Sequence, residues 1–249
     1  MPRYFLEVRY KGTIYKGFQI QRKEATIQGE ITKALETVLR FPVKLTTSSR
    51  TDAGVHALQN FFHFDIDLVL SSKILYNLNA ILPKDIALLN LYEVDAARHS
   101  RFSAESRVYQ YYLYDKKNPF LTEQAWYYPF FLDKEKLQQA ADIIKHTNDF
   151  TSFSKRKTDA RTTLCTIKES VWMEQNDCLV YHVEANRFLR GMVRALVGTM
   201  LKVGRGFISL NEFINIINHK NNKDADFSTP AHGLFLMQVK YPFPLKAIE

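Results

Sequence analysis

Cysteine is scarce in this chain of 249 residues and is not arranged for chemistry. The two present, Cys165 and Cys178, form no C-x-x-C pair and no Cys/His cluster. No zinc site or disulfide framework is indicated, and both read as core residues of a protein from a reducing compartment. Long hydrophobic runs are missing as well. "MPRYFLEVRY" lacks an apolar stretch of signal-peptide length, and no segment approaches the ~20 apolar residues of a transmembrane helix. The expectation is a soluble cytoplasmic protein that does not engage a membrane. The sequence has no Walker A motif, no G-x-G-x-x-G, no H-E-x-x-H and no G-x-S-x-G, so nothing in it demands a nucleotide, a flavin or a metal. No cofactor is expected. No Pro-rich or low-complexity linker divides the chain.

What is present is apolar, aromatic and basic. Hydrophobic residues make up 46% of the chain, enough for a sizeable core, and thirteen Tyr and eighteen Phe are included. Aromatic rings fill cores, and they also stack on unpaired bases. The formal net charge of +8 suits a polyanionic partner, nucleic acid before an acidic membrane surface.

Periodicity divides the chain into alternating strands and helices. Residues 3–10 read as a strand, followed by turns at Gly12 and Gly17. Ile27, Ile31, Leu35 and Val38 have helical spacing behind Thr26 as N-cap. Residues 42–48 and 57–66 read as strands, 71–82 as a helix capped by Ser71 or Ser72, and 85–94 as a strand. A similar series follows: strand 107–115, helix 133–147, a hairpin turning at Asn176-Asp177, helices 188–204 and 210–219, and a closing strand 232–241. "KVGRG" reads as the end of the longer helix. The fold class is α+β, built from two similar α/β halves with mainly antiparallel sheets. The boundary falls in the polar stretch from Arg98 to Arg107, giving domains of residues 1–105 and 106–249.

The segment "SSRTDAGVHALQNFFHF", residues 48–64, carries the most chemistry. Asp52 before Ala-Gly suits a tight turn, in which Gly54 takes positive φ. It equally suits a reactive carboxylate. A loop between buried strands desolvates the acid, and Arg50, two residues away, favours its charged form. His56 titrates near neutrality and is a general-base candidate, although a lone His before an apolar strand is more often structural. On a helix over 188–204, Arg187, Arg190 and Arg194 fall in one sector, opposite Leu189, Met192, Val193, Leu196, Val197 and Met200. That pattern is either a solvated basic face or a source of an arginine for an acid or a phosphate. "RHSRFSAESRVYQYYLY" interleaves Arg98, Arg101 and Arg107 with aromatic rings, Tyr109 and Tyr111 sharing one strand face. The basic run at Lys155, Arg156 and Lys157 is either solvated surface or an electrostatic contact for RNA.

"RTDAGVHA" resembles the signature of the TruA-type tRNA pseudouridine synthases, and the similarity continues in order along the chain. It includes "YKGTIYKGFQIQ", "RFSAESRVYQYYLY", "NDFTSFS", "FLRGMVRALVG" and "AHGLFLMQVKY". The resemblance implies two α/β domains, each with helices on one face of its sheet, an active-site cleft between them, and a homodimer. It implies cofactor-free isomerisation of uridine to pseudouridine at positions 38 to 40 of the tRNA anticodon stem-loop. It assigns the nucleophile to Asp52, the base-stacking ring to Tyr109, the arginine that pairs with the aspartate to Arg194, and the motif arginine to Arg50. The basic residues named above become the candidate contacts to the tRNA backbone. Lys11, Phe18, Ser49 and Ala195 stand where the family more often has Asp, Trp, Gly and Asn. The same isomerisation on ribosomal or another structured RNA is the first alternative. A catalytically silent RNA-binding protein is the second, against which the joint presence of Asp52, Tyr109 and Arg194 speaks.

Overall fold

The computed structural model describes residues 1–155 and 161–248. The chain is α+β, with five α-helices and mixed, mostly antiparallel strand pairing among the described residues. It forms two compact units. Met1–Glu105 and the chain from Leu236 onward make the first, and Ser106–Phe235 the second.

In the first unit, β1 (Arg3–Tyr10) is followed by α1 (Ile27–Leu39), β2 (Thr46–Thr47), β3 (His56–Asp65), α2 (Lys73–Ile81) and β4 (Ile86–Val94). Strand β1 lies between β3 and β4, antiparallel to both, and β2 pairs with β3. Helix α1 starts where Thr26 accepts a hydrogen bond from the Gly29 N–H at 3.2 Å, and it buries Ile27, Ile31, Ala34 and Leu35. Helix α2 has no side-chain cap. Ser71 and Ser72 serve through their carbonyls, which accept the Ile74 and Leu75 N–H groups. Of the strand expected over 42–48, only Thr46–Thr47 pairs.

Strand β3 is buried on both faces from Asn60 to Phe64. On one face Phe62 meets Phe18, which in turn meets Tyr10. On the other, Phe61 and Phe5 each pack 5.4 Å from Tyr241 near the C-terminus. Phe18 is therefore a core ring, fully buried.

The second unit contains β5 (Ser106–Tyr114), β6 (Trp126–Tyr127), α3 (Lys134–Lys145), a 3-10 turn at Thr151–Phe153, β7 (Ile167–Gln175), β8 (Cys178–Ala185), α4 (Met192–Gly204) and α5 (Leu210–His219). Strand β8 pairs antiparallel with β5 and β7, and the short β6 is parallel to β5. Asn176 and Asp177 turn the β7–β8 hairpin, both with positive φ (50° and 60°). Helix α3 packs on β7 and α4, and α5 on α3 and α4. Strand β9 (Leu234–Lys240) begins in the second unit and belongs to the first from Leu236, where it neighbours β3.

Helix α4 corrects the sequence expectation. It begins at Met192, because Gly191 is left-handed (φ 74°) and breaks the helical path. Arg187 and Arg190 precede it, so the three arginines share no helical face. All of α4 except Arg194 and Lys202 is buried. It is a core helix with one arginine in its first turn.

Candidate active site

The residues before and after Asp52 are tied down by their neighbours. The Ser48 N–H bonds to the Phe61 carbonyl at 2.8 Å. The Ser49 carbonyl accepts from the Thr47 hydroxyl at 3.1 Å and from the Asn60 amide at 2.9 Å. Thr51 shares a hydrogen bond with the Tyr10 hydroxyl at 2.8 Å, and its carbonyl accepts the Phe18 N–H. Tyr10, Thr51 and Asn60 are all buried. Each such buried bond contributes about 1 kcal/mol, and breaking one leaves a more costly unpaired group.

Asp52 then opens a tight turn. Its carbonyl accepts the Val55 N–H at 3.2 Å, and Gly54 in third position has φ 79°, the geometry of a type II turn. The turn reading of "DAG" is thus correct for the backbone. The side chain has no such structural duty. Among the described residues, the half-buried Asp52 carboxylate makes no hydrogen bond or ion pair. Arg50 is exposed.

The segment 11–18 cradles this turn. Gly54 donates to the Tyr15 carbonyl at 3.4 Å, and Gly12 donates to Nδ1 of His56 at 3.0 Å. His56 is only 1% exposed. It accepts this bond with an unprotonated Nδ1, and so acts as a structural tie beside the turn. The cradle needs its two glycines. A Cβ at Gly12 would lie 2.0 Å from the Val55 carbonyl oxygen, and Gly17 has φ +102° against the backbone of Thr51 to Ala53.

Tyr109 and Arg194 belong to the second unit. Tyr109, 9% exposed, sits on β5 opposite Val183, with its ring edge-to-face on Phe188 at 5.0 Å. Tyr111, two residues on, is fully buried and donates to the Pro230 carbonyl at 2.8 Å. Arg194 donates Nε to the Thr229 carbonyl at 2.6 Å, and Thr229 returns a bond from its hydroxyl to the Arg194 carbonyl at 2.9 Å. His232 is held below the ordinary histidine range, first by burial and then by the Arg194 charge, against a backbone bond at Ala125 that favours its protonation.

The basic residues separate by environment. Arg107 is 8% exposed and donates to the Asn186 carbonyl at 3.0 Å, where the strands end. Arg98 lies over the Phe243 ring at 4.0 Å, and Arg101 is exposed near Phe102, itself exposed. Arg190 is exposed and Arg187 half-buried. The Lys155 stem lies against Gly191, and its N–H bonds to the Arg190 carbonyl. Arg156 and Lys157 lie outside the described residues.

Both cysteines are buried, and burial pushes the Cys165 thiol up to about 11. Among the described residues, no cluster of three or more His, Cys, Asp or Glu could hold a metal ion, and no helix is long and apolar enough to cross a membrane.

Sequence reasoning missed Asn60, Tyr10 and Thr229. All three act on residues distant along the chain, and none sits in a motif that marks it.

Comparison with known proteins agrees with the family resemblance. A family model described as tRNA pseudouridine synthase matches residues 144–242. The tRNA pseudouridine synthase A of Parabacteroides distasonis is 42% identical over the full length of both chains. That of Bacteroides fragilis is 41% identical over 97% of each. That of Bacillus licheniformis is 37% identical, covering 94% of this chain and 97% of its own. With identity at this level from end to end, the chain belongs to the tRNA pseudouridine synthase family.

Proposed function

We propose that this protein isomerises uridine to pseudouridine in tRNA, at positions 38 to 40 of the anticodon stem-loop, with Asp52 as the reactive carboxylate. The two units act as its two domains, and the working form is a homodimer in the cytoplasm. The observation that carries the reading is the Asp52 turn. Its backbone is pinned from both sides, while its carboxylate is bound to nothing among the described residues. A positioned acid without a structural task is what a nucleophile requires.

The reaction breaks the N1–C1′ bond, turns the uracil, joins C5 to C1′ and releases the C5 hydrogen as a proton, while N1 takes up a proton in place of its bond to C1′. No electrons are exchanged with a second reactant, so the chemistry needs no cofactor. Asp52 can attack C1′, add to C6 or take a ribose proton. Each route wants the carboxylate ionised, and the resemblance gives Arg194 and Arg50 the task of keeping it so. Tyr109, its ring fixed by Phe188, stacks on the freed uracil while it turns, which also limits access of water. A uridine in a stem must first leave its stack, at a cost of a few kcal/mol. Arg98, Arg101, Arg187, Arg190, Lys155, Arg156 and Lys157 on the RNA backbone offset it.

The test is tritium release from tRNA labelled at uridine C5, wild type beside Asp52→Asn. Release by wild type only, with tRNA affinity of the variant within a few-fold, is expected. Turnover by Asp52→Asn would remove Asp52 as nucleophile. No release by the wild type would remove the reaction itself.

A further inference from the structure

The Arg194 side chain does not stand alone on α4. Its Nε is engaged by the Thr229 carbonyl, which leaves the two terminal amino groups as the fork available to an anion. The direction of that fork depends on where the Thr229 carbonyl stands. Residues 226–233, which carry it, are clamped on two sides. Towards α4, the Thr229 hydroxyl bonds to the Arg194 carbonyl, the Asp226 N–H bonds to the Thr199 hydroxyl at 3.0 Å, and Lys202 pairs with Asp226 at 3.6 Å. Towards β5, the Pro230 carbonyl accepts from Tyr111, and Gly233 lies so close to the Tyr111 ring that a Cβ there would come within 2.7 Å of it.

Close approach to α4 depends on Gly198. A Cβ at that position would lie 2.5 Å from the Thr229 hydroxyl oxygen and 2.7 Å from the Asp226 carbonyl oxygen. Thr229 is 1% exposed, so its hydroxyl has no water to fall back on, and the bond to Arg194 is the one it makes among the described residues.

We infer that Thr229 is a positioning residue for the reaction. Its reciprocal pair of hydrogen bonds with Arg194 holds the guanidinium in one orientation on α4. The inference rests on the proposed part of Arg194 as the arginine that acts with Asp52.

The experiment is a double-mutant cycle in single-turnover tritium release, with tRNA affinity and thermal unfolding measured beside it. Thr229→Val keeps shape and loses the hydroxyl. It is expected to lower the rate roughly ten- to a hundredfold, the scale of a catalytic group displaced by about 1 Å, with tRNA affinity unchanged. Thr229→Ser restores the rate to within about twofold. In an Arg194→Lys background Thr229→Val has no further effect, because the group it orients is gone. Should Thr229→Val fold poorly, Gly198→Ala tests the same contact from the helix side and is expected to show the same loss and the same silence in Arg194→Lys. An equal fold-loss from Thr229→Val in both backgrounds, or full activity of Thr229→Val beside a crippled Arg194→Lys, overturns the inference alone. Full activity of Arg194→Lys overturns the part given to Arg194, and the inference with it.

Discussion

Gly12→Ala puts the coupling between loop packing and catalysis to a direct test. Gly12 does not need positive φ. It needs the absence of a side chain. The added Cβ would stand 2.0 Å from the Val55 oxygen and 2.7 Å from the Val55 carbonyl carbon, where real Cβ atoms essentially never come within 3.0 Å. Backbone must therefore yield by about 1 Å, since no flexible side-chain end is there to move aside. The Val55 N–H closes the turn on Asp52, and Gly12 also holds His56, so the displacement reaches the turn that carries the carboxylate. Overpacking of this kind costs about 1–3 kcal/mol of stability, which a domain stable by roughly 5–15 kcal/mol tolerates. A 1 Å error at a reacting group costs roughly a hundredfold in rate. The expected result is a folded protein that binds tRNA within a few-fold of wild type and releases tritium about a hundredfold more slowly. Gly206→Ala is the control. Gly206 has the positive φ that Gly12 lacks (+71°), but nothing lies within 4 Å of its added Cβ, so it should lose about 1 kcal/mol of stability and no activity. Wild-type turnover by folded Gly12→Ala would refute the claim that the cradle sets the position of Asp52.

Further outcomes follow from other parts of the molecule. His63 is buried, bonded through Nδ1 to the Ser100 hydroxyl at 2.8 Å, and lowered to about 4 by burial, with the His99 and Arg3 charges adding and Asp65 opposing. A histidine lowered on folding stabilises the protein fully above its free value of 6.5, and that contribution is lost as pH falls from there towards 4. Thermal midpoints measured across this window should fall less steeply for His63→Asn than for wild type, and parallel curves would refute the assignment. Tyr109→Phe should retain most of the rate and Tyr109→Leu lose most of it, because a flat ring does the stacking; a Leu variant at full rate removes that role. Tyr10→Phe should cost about 1–2 kcal/mol in denaturant unfolding by freeing Thr51 inside the core, and an unchanged midpoint would mean that the bond contributes nothing. Neutralising Lys155, Arg156 and Lys157 together should weaken tRNA binding and flatten its dependence on salt, whereas an unchanged slope would place those three charges away from the RNA.

Much of this protein was legible along the chain, because helices, strands and tight turns arise from neighbours in sequence. Thr26 caps α1, Asn176-Asp177 turns a hairpin, and Asp52-Ala-Gly makes a turn, each through contacts within a few residues. The RTDAG motif pointed to the family in the same local way. What lay beyond the sequence depended on partners distant in it. The basic face expected on 188–204 disappeared at Gly191, whose positive φ belongs to a site covered by the Lys155 stem. Strand β3 is buried on both faces, the second of them covered by Tyr241 from far along the chain. Arg107 reads as a surface cation until the Asn186 carbonyl takes it into the strand ends. The orientation of Arg194 is set by Thr229, thirty-five positions later. Periodicity reports which side of an element is apolar. Only the folded chain decides what meets that side, and hence which charges are spent on structure and which are left for chemistry.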